Sequence, residues 1–288
     1  MARLALAVLA AVLLAGGAGC GSDDVDEARE RIEQEVASAR EEFERRRERF
    51  GERIQEVLRD LEKVFPSAEE TSPTVRSRGR NEPTTIDAFL TDLLEEIDGY
   101  WTATFAAGGL PEPRVRYLWV EPGGFALSAC GQPADDRAAF YCPADDTIYV
   151  SQQFAANLYE GVVDGLPGQS AGYGRASGDF AVAYVIAHEY AHNLQHELGI
   201  FDNRVTESAR PFELQADCLA GTWAHSVYEQ GLLEPGDLEE ALNTALAVGD
   251  FETGSEQHHG TPQERRDAWS LGFESGNPAE CQRYVPAA

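Results

Sequence analysis

The sequence predicts an α+β domain behind a long N-terminal amphipathic helix, on three observations. Residues 23–65 hold no Pro and one Gly, with apolar residues at heptad spacing. Short β-like runs occupy residues 115–120, 125–128 and 147–151. Helical patterns flank them, including the apolar run from Phe180 to Ala187 that leads into His188-Glu189-Tyr190-Ala191-His192. Separate helical and β-like stretches within one chain indicate mixed helix and sheet.

At the N-terminus, Arg3 and the apolar stretch from Leu4 to Ala15 read as an export signal. About a dozen apolar residues are too few for a bilayer span and suit a signal h-region. The stretch runs into Leu14-Ala-Gly-Gly-Ala-Gly-Cys20, small residues before a Cys, similar to a bacterial lipoprotein signal. Residues 1–20 are therefore expected to direct export, with Cys20 lipidated as the new N-terminus. Gly17 departs from that pattern, which usually has an aliphatic residue there. The expected location is the outer face of the cell membrane, held by a lipid anchor, or the medium if Cys20 is not lipidated.

Residues 21–65 read as a charged helical stalk. Val36, Phe43, Phe50, Val57 and Val64 recur every seven residues, and Ile32, Ala39, Ile54 and Leu61 form a neighbouring stripe that Arg46 and Arg53 interrupt. The pattern suits a coiled coil that makes a homo-oligomer, and equally a solvated stalk or a helix packed on its own domain. Fully helical, it would span about 60 Å. Residues 66–84, rich in Pro, Ser, Thr and charge, read as a linker. The domain is expected at residues 85–288. It opens with Ile86, Phe89, Leu90, Leu93, Leu94 and Ile97 spaced along one helix face. Among the β-like runs, residues 147–151 could form an edge strand that pairs with an extended peptide, or simply complete the sheet. The Gly-rich stretch at residues 165–178 reads as a loop, either a lid or a plain connector.

The H-E-x-x-H string carries the chemistry. Residues four apart share a helix face, so His188 and His192 can point their imidazoles at one metal ion. Glu189 projects about 100° round the axis, where a general base for a metal-bound water is needed. His196 lies about 12 Å along the axis from His188, too far for the same ion. Gln195 and Leu198 stand where a metzincin needs Gly and His, and Met1 is the sole Met, so no Met-turn is available. Glu213 opens a second helical pattern four residues before Asp217. Glu213 can supply the third ligand, and Asp217 can accept the other ring N–H of a ligand His. Glu207 is a weaker alternative to Glu213. Thr261-Pro262-Gln263-Glu264 has the capping-box pattern with Pro at the first helical position, so a helix begins there. His258 and His259 precede it. His259, facing a cleft, could stabilise an oxyanion, whereas His225 reads as structural.

The strings from His188 to Gln195 and from Glu213 to Ala224 resemble the bacterial "putative neutral zinc metallopeptidase" family. Residues 140–150, residues 245–250 and residues 259–265 with Trp269 agree with it. The resemblance covers about residues 85–285. It implies a zincin-like domain and Zn2+-dependent peptidase chemistry, with His188, His192 and Glu213 as ligands and Glu189 as base. Tyr190-Ala191 and Asn193 depart from the family's usual residues without touching a proposed ligand.

Net charge is −27. Residues 1–80 carry 17 acidic and 14 basic residues; residues 81–288 carry 33 and 9. So acidic a domain is expected to repel nucleic acid and anionic headgroups, and its charge reads first as a soluble, well-hydrated surface rather than a charge-selective groove; a peptide or protein substrate is what the family resemblance implies. Apart from Cys20 the cysteines are Cys130, Cys142, Cys218 and Cys281. An even set in an exported chain favours disulfides, with Cys130–Cys142 and Cys218–Cys281 as the expected pairs among three pairings. Two rival readings share the metal site. One is a non-catalytic zinc-binding envelope lipoprotein acting as a scaffold; the other is a zinc amidase acting on cell-wall peptides.

Overall fold

The computed structural model describes residues 85–201 and 208–285. The signal, Cys20, the stalk at 21–65, the linker at 66–84 and the alternative ligand Glu207 lie outside them. The described residues mix helix and sheet, as the α+β expectation requires.

Helix α1, Ile86–Ala107, buries Leu90, Leu94, Ile97, Trp101 and Phe105 along one side. That is the three-and-four spacing of an amphipathic helix facing a core. Five strands follow: β1 Arg116–Val120, β2 Ala126–Leu127, β3 Pro133–Ala134, β4 Ala139–Cys142 and β5 Thr147–Ser151. The main sheet has the order β1-β5-β4, with β1 parallel and β4 antiparallel to β5. Period-two alternation lets β4 and β5 bury residues on both faces, while the edge strand β1 is exposed over Arg116, Tyr117 and Leu118. Tyr141, Ile148 and Val150 join the main core, while Phe140, Cys142 and Tyr149 pack with Val120 and Ala134 on the opposite face. The β2–β3 hairpin covers that second face, and the Cys130–Cys142 disulfide ties its loop to β4.

The sheet corrects one expectation. Residues 147–151 are the central strand, buried throughout, and cannot offer a free edge to a peptide. A strand covered on both faces reads as an uninterrupted uncharged run, which carries no edge-or-centre signal. Strands β3 and β4 were not expected, being too short to show alternation.

Helix α2, Gln152–Tyr159, starts on β5's last residue, Ser151, whose hydroxyl accepts from the N–H groups of Gln153 and Phe154. The Gly-rich stretch then contains the short helix α3, Pro167–Ser170. It is not a free lid. A Cβ at Gly168 or Gly174 would collide with main-chain oxygens of Leu246 or Asn243. Only glycine lets the stretch lie so close against α6, Asp237–Val248.

The motif helix α4, Asp179–Glu197, is buried almost all round, from Phe180 to Ala191 without a break. Helix α5, Arg210–Glu229, and helix α7, Pro262–Ser275, complete the core, and a 3₁₀ segment, Pro278–Tyr284, follows. Helices α5 and α7 pack at backbone contact. A Cβ on Gly221 would strike the Trp269 carbonyl, and one on Gly272 would strike the Cys218 carbonyl. The Cys218–Cys281 disulfide joins α5 to the C-terminal 3₁₀ segment, so both expected pairs form.

Candidate metal centre

Helices α4 and α5 bring His188, His192 and Glu213 together, one ligand atom from each lying within 4.8 Å of the others. Nε2 of His188 is 3.2 Å from Glu213 Oε2, and Nε2 of His192 is 3.4 Å from Glu213 Oε1. The other ring nitrogens are occupied from behind. His188 Nδ1 is 2.9 Å from Asp217 Oδ1, and His192 Nδ1 is 2.8 Å from Gln195 Oε1. A ring N–H donating to those oxygens fixes the tautomer that leaves Nε2 free for a cation. Gln195 is itself held, donating from Nε2 to the Phe212 carbonyl and to Gln215 Oε1.

Asp217 is fully buried and surrounded by donors. Arg265 from α7 reaches it with Nε at 2.7 Å and Nη2 at 2.9 Å, and the Tyr184 hydroxyl donates to the same carboxylate. Burial alone would raise the Asp217 pKa, but Arg265 and then His188 overcome it and hold the group below the ordinary value. Glu213 follows the same logic: burial opposes its charge, yet His192 and His188 keep its carboxyl well below the usual range. Burial would lower His188, but Asp217 and Glu213 outweigh it and push the ring to about 9.

Glu189 is 9% exposed; its carboxylate has no hydrogen-bond or ion-pair partner among the described residues, and its oxygens keep contact with solvent. Glu189 follows His188 on the motif helix, where an unpartnered carboxylate suits the base that a metal-bound water needs. Two imidazole nitrogens, each ring oriented from behind, and one carboxylate are a donor set suited to zinc. The residues present therefore fit the ion.

The remaining histidines lie outside this cluster. His196, on the next turn of α4, has Nδ1 2.6 Å from the Tyr141 hydroxyl, which also donates to Asp146. His225 is 2.6 Å from the Phe273 carbonyl through Nδ1, a tie between α5 and α7. His258 is buried, with Nδ1 2.5 Å from Asp250 Oδ1. His259 has a side chain 48 % exposed, and its backbone N–H donates to Asp250 Oδ2 at 2.8 Å. Burial would raise the Asp250 carboxyl, but these bonds hold it at about 2. The loop rests on the same end of α5 that carries Glu213: Ala209 N–H donates to the Glu256 carbonyl, and Gly260 abuts Leu214. Gln195 and Arg265 were missed in the sequence. Gln195 had a signal in its spacing, three residues beyond His192 on the same helix. Arg265 lies in the 259–265 stretch that resembles the family, but nothing local gave it a role, since Glu264-Arg265-Arg266 reads as a solvated helix start.

A family model described as "Putative neutral zinc metallopeptidase" matches residues 48–284. The chain is similar to "Uncharacterized protein YpfJ" of Escherichia coli (strain K12), 39% identical over 216 residues, which cover 68% of this chain and 70% of the relative. It is also similar to "Uncharacterized protein Rv2575" of Mycobacterium tuberculosis (strain ATCC 25618 / H37Rv), 30% identical over 217 residues, 66% of this chain and 68% of the relative. No solved structure matches the chain significantly. With two histidines and a glutamate converging where the family's name calls for zinc, and with the match running through nearly all the described residues, the chain belongs to the neutral zinc metallopeptidase family.

Proposed function

We propose that the protein is a zinc-dependent peptidase of zincin-like fold that hydrolyses peptide bonds in peptides or proteins. The observation that carries this reading is the convergence of His188, His192 and Glu213, with the unpartnered Glu189 next to His188 on the same helix. Those three residues would hold the ion. Zinc, when bound, supplies a Lewis acid that acidifies a water and polarises a substrate carbonyl. Glu189 accepts the water's proton as the carbonyl is attacked, then delivers it to the leaving amine. His259 offers an N–H to the oxygen on which negative charge grows, with Asp250 bracing its loop. Asp217 and Gln195 keep the two ligand rings in the tautomer that faces the ion.

A scaffold that only binds zinc has no use for a general base, so Glu189 also counts against that alternative. The test is Glu189→Gln. The variant keeps the ligand set and should bind zinc as wild type does, while hydrolysis of an unfolded protein substrate falls by about 10²–10⁴-fold. Undiminished proteolysis by zinc-loaded Glu189→Gln would overturn the role assigned to Glu189.

A further inference from the structure

Arg265 does no work in the hydrolysis described above, yet it is one of the most buried charges among the described residues, at 5% exposure. Its guanidinium spans both oxygens of Asp217, Nε to Oδ2 at 2.7 Å and Nη2 to Oδ1 at 2.9 Å. The same Nη2 lies 3.3 Å from both ring nitrogens of His188. The in-plane lone-pair directions of the two nitrogens diverge, so one amino group cannot serve both; the equal distances place it over the face of the ring. Glu213 Oε2 is 3.7 Å away. A buried arginine is costly unless fixed partners compensate it. Here the partners are one ligand histidine and the carboxylate that orients it.

We propose that Arg265 is a positioning residue for the metal site: it locks the plane of Asp217 and covers one face of His188, so that His188 Nε2 stays aimed at Glu213. It also offsets the charge of Asp217. Asp217 can then hold His188 tightly without adding net negative charge behind the ion, and the charge next to the ion comes from Glu213. Four donor groups converge on Asp217: Arg265 Nε, Arg265 Nη2, the Tyr184 hydroxyl and His188 Nδ1. Removing Arg265 takes away two of them and leaves an uncompensated buried charge. Lysine restores the charge but cannot bridge two oxygens and lie on a ring at once. What the ion does rests on the peptidase reading; how His188 is held rests on these contacts.

The experiment compares full-length wild type, R265K and R265M. Zinc affinity is read by chelator competition, and Co2+ in place of zinc reports ligand geometry through its visible absorption bands. R265M is expected to lose about 10- to 100-fold in zinc affinity and to shift the cobalt bands. R265K should recover part of the affinity but keep the altered bands, a signature that a merely structural role would not produce. If R265M does not fold, R265K decides: altered cobalt bands support the proposal and wild-type bands overturn it. Wild-type affinity and wild-type bands in both variants also overturn it. Zinc-loaded wild type without peptidase activity would sink the peptidase reading while the affinity ratios still decide the role of Arg265. A folded wild type that binds neither metal would sink both.

Discussion

Each ligand histidine has one ring nitrogen spoken for and one free, and the spoken-for nitrogen decides what the free one can bind. Asp217 and Gln195 occupy the two Nδ1 positions, so both Nε2 atoms turn toward Glu213. Those orienting groups depend in turn on neighbours, Asp217 on Arg265 and Gln195 on the Phe212 carbonyl. Glu264 matters one step further out. It accepts from the backbone N–H of Thr261 at the start of α7, and Arg210 donates to it. The Arg210 bond is the main cause that holds its carboxyl at about 2 against the ordinary 4.5, with burial opposing and Thr261 assisting. A depressed carboxylate stabilises the fold above its unfolded pKa, and that contribution disappears as pH falls through the folded value. Stability should therefore drop between about pH 4.5 and 2, and more shallowly in Glu264→Gln, as read from thermal midpoints across that range. An equal acid slope in both proteins would contradict the assignment. His188, His192, Glu213 and Asp217 were legible in the sequence because a helix converts four-residue spacing into a shared face. Arg265 was not, because nothing local distinguishes a buried arginine from a solvated one until α7 is laid across α5.

That crossing is where helix packing sets the site. Glu213 and Asp217 are on α5, His188 and His192 on α4, and Arg265 on α7. Gly221 and Gly272 let α5 and α7 approach until backbone meets backbone, which is close enough for Arg265 to span Asp217. Glycine within a helix is a recognisable signal of close packing, although it does not name the partner. An exposed helical Gly→Ala change would stabilise by about 1 kcal/mol. At Gly272 the added methyl collides with the Cys218 carbonyl, and overpacking of that kind costs about 1–3 kcal/mol. Gly272→Ala is thus expected to lower the denaturation midpoint and weaken zinc binding together. A raised midpoint would show that the helices have room to spare. The sheet was only partly legible. Strands β1 and β5 showed as short β-like runs, but β3 and β4 are short, and the central place of β5 depends on long-range pairing. The capping box at Thr261 was readable because its two hydrogen bonds lie within four residues.

Across the whole chain, the family match and the metal cluster point the same way. With 33 acidic and 9 basic residues over positions 81–288, the domain is expected to repel polyanions, which a nucleic-acid binding assay at low salt would check. Two disulfides brace the parts that carry the site. Cys218–Cys281 closes a separation of 63 residues, worth about 4 kcal/mol in the chain-entropy account, and sits one residue beyond Asp217. Cys130–Cys142 fastens the hairpin over the outer face of the sheet. The central claim is that two helices of this scaffold present a three-ligand zinc site. It is tested most directly by the metal content of the purified chain beside Glu213→Ala. About one zinc per wild-type chain is expected for a site with three protein ligands, with the metal lost or sharply weakened in the variant. Well-folded wild type without zinc, or Glu213→Ala that binds it as tightly, would contradict the account.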